Sequence, residues 1–225
     1  MISLAGINKD EAARYMGIRG VPERSVAEML ERCEKRVLDV IRPAYVYRET
    51  DIEFTENGIV SGCMPVPLTG KSIAEHLSGC TKAVFMAVTL SAGADKLIRQ
   101  TAVTDMAESL AVDCLCSAAV EQVCDLAEEE IFSGREGIYR TWRFSPGYGD
   151  LPLELQRDFL LAVNAQRRIG LTVTENSLLL PSKSVTAIIG ISEKPIQRGK
   201  RGCAVCDRRA SCAFAKLGGV CNTYS

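Results

Sequence analysis

Thr172-Val173-Thr174-Glu175-Asn176-Ser177-Leu178-Leu179-Leu180, Pro181-Ser182-Lys183 and Ser184-Val185-Thr186-Ala187-Ile188-Ile189-Gly190-Ile191 follow one another, and the fold turns on how they pair. Residues Thr172 to Leu180 and Val185 to Ile191 alternate or run apolar, as strands do. Pairing the two through Pro181-Ser182-Lys183 predicts a hairpin, and hence a largely antiparallel sheet. Helical patterns elsewhere must then lie against that sheet, which gives an α+β domain.

Upstream, Asn8 is placed to cap a short helix through Tyr15 that Gly17 ends, and Pro22 with Ser25 opens a second, Val26 to Ile41. Ala44 to Phe54 is rich in Val, Tyr and Ile and reads as a strand; Asn57-Gly58 turns it into a short return strand, Ile59 to Cys63. Lys71 to Leu77 reads as helix, and Ala83 to Leu90 has the near-continuous apolar character of a central strand. Gly93 is expected to break the chain. Ala94 to Ile131, free of Pro and Gly, then predicts one long helix or two abutting ones. Cys114, Cys116 and Cys124 fall in this stretch as small packing groups. A further helix is expected from Pro152 to Ile169, with Asp150 as its cap and Gly170 as its stop.

The chain has 225 residues, 47% of them apolar, which suffices for one domain with a substantial core. No apolar run approaches the roughly 20 residues of a membrane span. Met1-Ile2-Ser3-Leu4 meets Asn8-Lys9-Asp10-Glu11 too soon for a signal peptide, so a cytoplasmic location is expected. Ten cysteines in that setting read as buried thiols or metal ligands. A single histidine, His76, leaves little scope for a Ser-His-Asp triad or a histidine metal site.

Between the two helical stretches lies Arg143-Phe144-Ser145-Pro146-Gly147-Tyr148-Gly149-Asp150. Arg143 supplies a fixed fork of donors for a carboxylate or phosphate. Pro146 stiffens the loop, Gly147 and Gly149 let backbone approach a ligand closely, and Tyr148 adds a flat ring with a polar tip. The bland reading is an ordinary interhelix turn, since Gly, Pro, Ser and Asp are the usual turn residues.

Three blocks change that balance. Arg143-Phe144-Ser145-Pro146-Gly147-Tyr148, Gly170-Leu171-Thr172-Val173-Thr174-Glu175-Asn176 and Leu180-Pro181-Ser182-Lys183-Ser184-Val185-Thr186 together resemble the reactivation (activation) domain of cobalamin-dependent methionine synthase. The first is similar to a family Arg-Pro-Ala-Pro-Gly-Tyr loop, the third to a Trp-Pro-Gly-Ala-Ser-Val-Ser run. The resemblance implies an activation-domain-like α+β fold over residues 1–197. It also implies that Arg143, Ser145, Pro146, Gly147 and Tyr148 bind S-adenosylmethionine, Arg143 through the carboxylate. The cobalamin would sit on a separate corrinoid-binding methyltransferase, with methyl transfer expressed only in the complex and a flavodoxin or ferredoxin as the electron donor. Asp113 or Glu108 could supply an acidic contact from the long helix. The chain departs from the family after Ser192, where Glu193-Lys194-Pro195-Ile196-Gln197 stands in place of a ligand-contacting tyrosine pair.

Residues 198–225 form a second unit. Cys203, Cys206, Cys212 and Cys221 make a C-x2-C-x5-C-x8-C cluster among Arg198, Lys200, Arg201, Arg208, Arg209 and Lys216, opposed only by Asp207. So short a segment cannot bury four thiols alone, which points to a metal: zinc in a four-thiolate site or an iron-sulfur cluster. The resemblance tilts the choice to iron-sulfur, because cobalamin reactivation needs a one-electron source. Two other functions compete: a stand-alone methyltransferase, which lacks a G-x-G-x-x-G turn here, and a non-enzymatic electron-transfer or docking protein. Nucleic acid is weakly supported, because the basic tail has only Phe214 and Tyr224 for stacking.

Overall fold

The computed structural model describes residues 2–196. The tail, with Cys203, Cys206, Cys212 and Cys221, lies outside the described residues. In chain order the elements are α1 (Lys9–Tyr15), α2 (Arg24–Val40), β1 (Ala44–Thr55), β2 (Gly58–Ser61), α3 (Lys71–His76), β3 (Lys82–Thr89), α4 (Ala92–Thr104) and α5 (Met106–Phe132). They continue as β4 (Tyr139–Arg140), a 3-10 turn (Leu153–Leu155), α6 (Gln156–Ala162), α7 (Ala165–Ile169), β5 (Thr172–Val173), β6 (Leu179–Leu180) and β7 (Ser184–Ser192).

Five strands form one sheet in the order β2-β1-β3-β7-β4, with every pair antiparallel. This is the α+β architecture expected. Successive side chains of a strand point to opposite faces. Accordingly, Val84, Met86 and Val88 of β3 join Ala187, Ile189 and Ile191 of β7 in a core beneath α1, α2, α4 and α5. Ala83, Phe85, Ala87 and Ile188 face the other way, into a second core under α3, α6 and α7. Both central strands are therefore buried on both faces, which is why they read as continuous apolar runs.

Several expectations need correction. The hairpin through Pro181-Ser182-Lys183 does not form: β7 pairs with β3 and β4, and the segment before it folds on itself, Thr172 opposite Leu180 and Val173 opposite Leu179. The polar run at its middle makes the turn. The Thr174 N–H donates to the Leu178 carbonyl (2.8 Å), and Ser177 takes a left-handed conformation at φ 60°. Gly93 does not break the chain but lies in the first turn of α4. A Cβ there would sit 2.1 Å from the Val40 carbonyl oxygen, so glycine lets α4 meet the end of α2.

The expected helix from Pro152 to Ile169 is split by Asn164, left-handed at φ 55°. The second helix starts at Arg24, with no side-chain cap from Ser25. The long helical stretch is two helices. Asp105, extended at φ −154°, separates them and caps α5 by accepting from the N–H groups of Ala107 (2.8 Å) and Glu108 (3.2 Å). Asn8 caps α1 as expected, accepting from the Glu11 N–H at 3.0 Å. Among the described residues no helix is long and apolar enough to cross a membrane.

Candidate ligand site

Five polar positions of α5, Asp113, Ser117, Glu121, Asp125 and Glu128, follow one another at four- and three-residue spacing, so they share one stripe of the helix. Two cations reach that stripe from separate parts of the chain. Lys183 Nζ lies 2.8 Å from Asp113 Oδ1 and donates to Ser117 Oγ at 2.9 Å. One turn further along, Arg143 Nη1 donates to Asp125 (2.7 Å) and Glu128 (3.1 Å), and Nη2 donates to Glu121 (3.2 Å). Residues from the Arg143 loop and the Pro181 block, distant in sequence, thus meet on one helix face.

Along the Lys183 end of the stripe runs a groove of about 490 Å3, lined by Asp113, Ser117 and Glu121 of α5, by Ser182, Lys183 and Ser184, and by Tyr15 of α1 with Leu110 at its rim. Arg143 reaches it only through its partner Glu121, and Ser145, Pro146, Gly147 and Tyr148 do not line it. Tyr15 is the one aromatic side chain among its lining residues, and the Arg14 guanidinium lies 4.8 Å over the centre of its ring. The wall at residues 182–184 is rigidly held. Asp95 of α4 accepts from the Ser182 N–H (2.9 Å) and hydroxyl (2.6 Å), and the Ser184 hydroxyl lies 2.8 Å from that of Thr89. Loss of water raises the Glu121 carboxyl above its ordinary value; Arg143 opposes this and Asp125 adds to it. Of the two acidic candidates on the long helix, Asp113 lines the groove, whereas Glu108 pairs with Arg36 of α2 at 2.7 Å.

The loop after Arg143 is braced from below by α3. The Phe144 N–H donates to the Ile188 carbonyl (3.0 Å), continuing the sheet, and its ring packs 4.8 Å from His76. His76 Nε2 is hydrogen-bonded to the Trp142 carbonyl at 2.8 Å. Asp150 does not cap the helix that follows it. Its carboxylate accepts from the N–H groups of Lys71 (2.6 Å) and Ser72 (2.9 Å), and so caps α3 from nearly eighty residues away. These bonds hold its carboxyl below the ordinary aspartate range. Gly149 has a matching reason: a Cβ at its φ of 54° would lie 2.4 Å from Ser72 Oγ, so the close backbone approach it permits here is to α3.

Gly147, at φ 90°, donates its N–H to the Leu151 carbonyl at 2.8 Å, and Ser145 accepts from the Tyr148 N–H at 3.0 Å. Pro146 is buried within the turn. Tyr148 stands 59% exposed, its ring edge-on to Phe144 at 6.0 Å.

Sequence reasoning did not single out Glu121, Asp125, Glu128, Ser117 or Tyr15 as site residues. The regular spacing of acids along the long helix was the available signal. The cysteines of that helix are packing groups: Cys114, Cys116 and Cys124 are buried, and burial pushes the Cys116 thiol up to about 12 and that of Cys114 to about 11. Among the described residues no cluster of His, Cys, Asp and Glu could hold a metal ion.

No protein-family model and no curated protein matches the chain. Among solved structures it is similar to the MetH reactivation domain bound to AdoHcy, with a TM-score of 0.64 at 14% identity, over 86% of this chain and 76% of that one. At that identity the likeness shows a shared fold, the one the three sequence blocks imply.

Proposed function

We propose that the chain binds S-adenosylmethionine in the α5 groove and presents it to a corrinoid carried by a separate methyltransferase, supporting reductive remethylation of that corrinoid. The observation that carries this reading is the convergence of Arg143 and Lys183, from two of the three resembling blocks, on one stripe of α5 beside a groove of ligand size. The fold likeness to a protein bound to AdoHcy supports it. The groove's groups suit such a ligand: Asp113 and Glu121 offer acceptors to its cationic amino acid end, and Tyr15 offers a face to its base. When bound, the sulfonium supplies the methyl group.

The protein's own share is positioning. Arg143 would take the ligand carboxylate in exchange for one of its three acidic partners. Ser145, Pro146 and Gly147 fix the turn that carries Tyr148, whose exposed ring faces outward for the partner's corrinoid. The cysteines at 203, 206, 212 and 221 would hold the iron-sulfur cluster or zinc, with a flavodoxin or ferredoxin as the reductant; anaerobic purification with iron, sulfide and zinc analysis decides between the metals.

Titration calorimetry with S-adenosylmethionine tests the reading. Saturable binding is expected, weakened at least tenfold in Arg143→Lys, which keeps the charge and loses the fork. Unchanged affinity in that variant removes Arg143 from the site. One observation favours a second reading, a docking protein that meets the corrinoid partner without the donor: the Arg143 fork is already satisfied by three carboxylates. Absence of any binding by the unsubstituted chain would select it.

A further inference from the structure

The face of the sheet opposite α5 carries a second groove, of about 560 Å3, between α6, α7 and β5. It exists because Asn164 breaks the expected single helix in a left-handed turn, so that α7 departs from the line of α6 and leaves an opening against the β5–β6 ribbon. Leu160 and Leu171, both buried, and Val173 supply its apolar lining, and Leu161, 69% exposed, stands at its rim. Arg157 and Arg167 are its charged groups, and no carboxylate lines it. Among the described residues neither guanidinium has an ion-pair partner.

We propose that this groove binds a small anionic ligand with an apolar body, of nucleoside monophosphate size. Arg157 and Arg167 take the anion, and Leu160, Leu171 and Val173 lie against the body. Two guanidiniums with free donors on one groove wall suit a phosphate or carboxylate, which each can hold in fork geometry. An apolar surface beside them rewards a ligand that removes it from water, and the volume lies within the range of small-ligand pockets. The site is independent of the α5 groove, from which the sheet separates it.

The test uses the chain with 13C-labelled leucine and valine methyls, titrated with AMP, inorganic phosphate and adenosine. AMP is expected to shift the methyls of Leu160, Leu161, Leu171 and Val173 saturably. Phosphate and adenosine, each carrying half of the recognised chemistry, should bind at least tenfold more weakly. The double variant Arg157→Gln, Arg167→Gln should lose tenfold or more in AMP affinity with its melting temperature unchanged, because both side chains are exposed. AMP binding that leaves the methyls of these four residues unmoved overturns the proposal, as does a double variant that binds AMP like the unsubstituted chain. A groove that answers to polyglutamate and not to AMP also overturns it, in favour of an acidic partner segment.

Discussion

The two faces of the sheet are covered by different means. Above lie helices of 17, 13 and 27 residues with the seven-residue α1 beside them; below lie only helices of 6, 7 and 5 residues joined by loops and a 3-10 turn. A long helix repeats its polar positions along one stripe, so α5 alone can offer Asp113, Ser117 and Glu121 to a groove and Asp125 and Glu128 to Arg143 beside it. Short pieces have no such repeat and depend on contacts far away in sequence, as when Asp150 caps α3 or Phe159 of α6 packs on Phe85 at 5.4 Å. The chemistry differs in the same way. The upper groove sets Asp113 and Glu121 against Lys183, while the lower one holds only arginines among its charged groups.

The sharpest way to break the lower face is Phe159→Ala. Phe159 is fully buried, and its removal should cost about 3–5 kcal/mol in denaturant unfolding. Hydrogen exchange should then rise across α6 and α7 and stay low in α5; equal loosening of α5 would mean that the two faces fold as one unit.

Arg143→Ala strikes the upper face. Its side chain is 12% exposed while Glu121 and Asp125 keep about 40% of theirs, so the cost should be roughly 2 kcal/mol, below that of a fully buried pair. The deficit should depend on pH. Because burial raises the Glu121 carboxyl in the folded protein, its ionised form opposes folding at neutral pH, and the penalty fades as pH falls through the raised value. Without Arg143 that penalty grows, so the variant should recover part of its stability as pH falls from neutral through the raised value. A deficit independent of pH would show that Glu121 remains solvated.

Asp150 behaves in the opposite sense. Its folded value is depressed by the Ser72 and Lys71 N–H groups, so its contribution is present above the unfolded value and is lost as pH falls through the depressed one. Asp150→Ala should make residues 143–152 more readily cleaved in limited proteolysis at neutral pH. At acidic pH, where the native carboxylate is itself protonated, the two proteins should be cut alike. The smallest effect belongs to Arg157→Gln, within about 0.5 kcal/mol of the unsubstituted protein, because an exposed arginine outside any ion pair holds nothing in place.

The same contrast explains what was legible in the sequence. Central strand β3, the Asn57-Gly58 hairpin, the Asn8 cap and the helical stretch of α4 and α5 are set by local pattern, and they stand within a few residues of where the pattern places them. On the lower face only α3, expected at Lys71 to Leu77 and found at Lys71–His76, could be read in this way. The break at Asn164 is a single left-handed residue, and the partner of β7 is chosen by burial on both faces, not by the nearest turn. At the site, Arg143 and Tyr148 were visible as unusual loop chemistry. Glu121 and Asp125 were hidden among ordinary helix-surface acids, because only the tertiary approach of residue 143 distinguishes them from their neighbours.

The most direct test of the central claim is backbone amide mapping of the chain titrated with S-adenosylmethionine. The account predicts saturable shifts at Ser117, Glu121, Arg143 and Lys183, with Arg157, Leu160 and Arg167 unmoved. Shifts confined to the α6–α7 side, or none at any concentration up to the millimolar range of weak ligands, would contradict it.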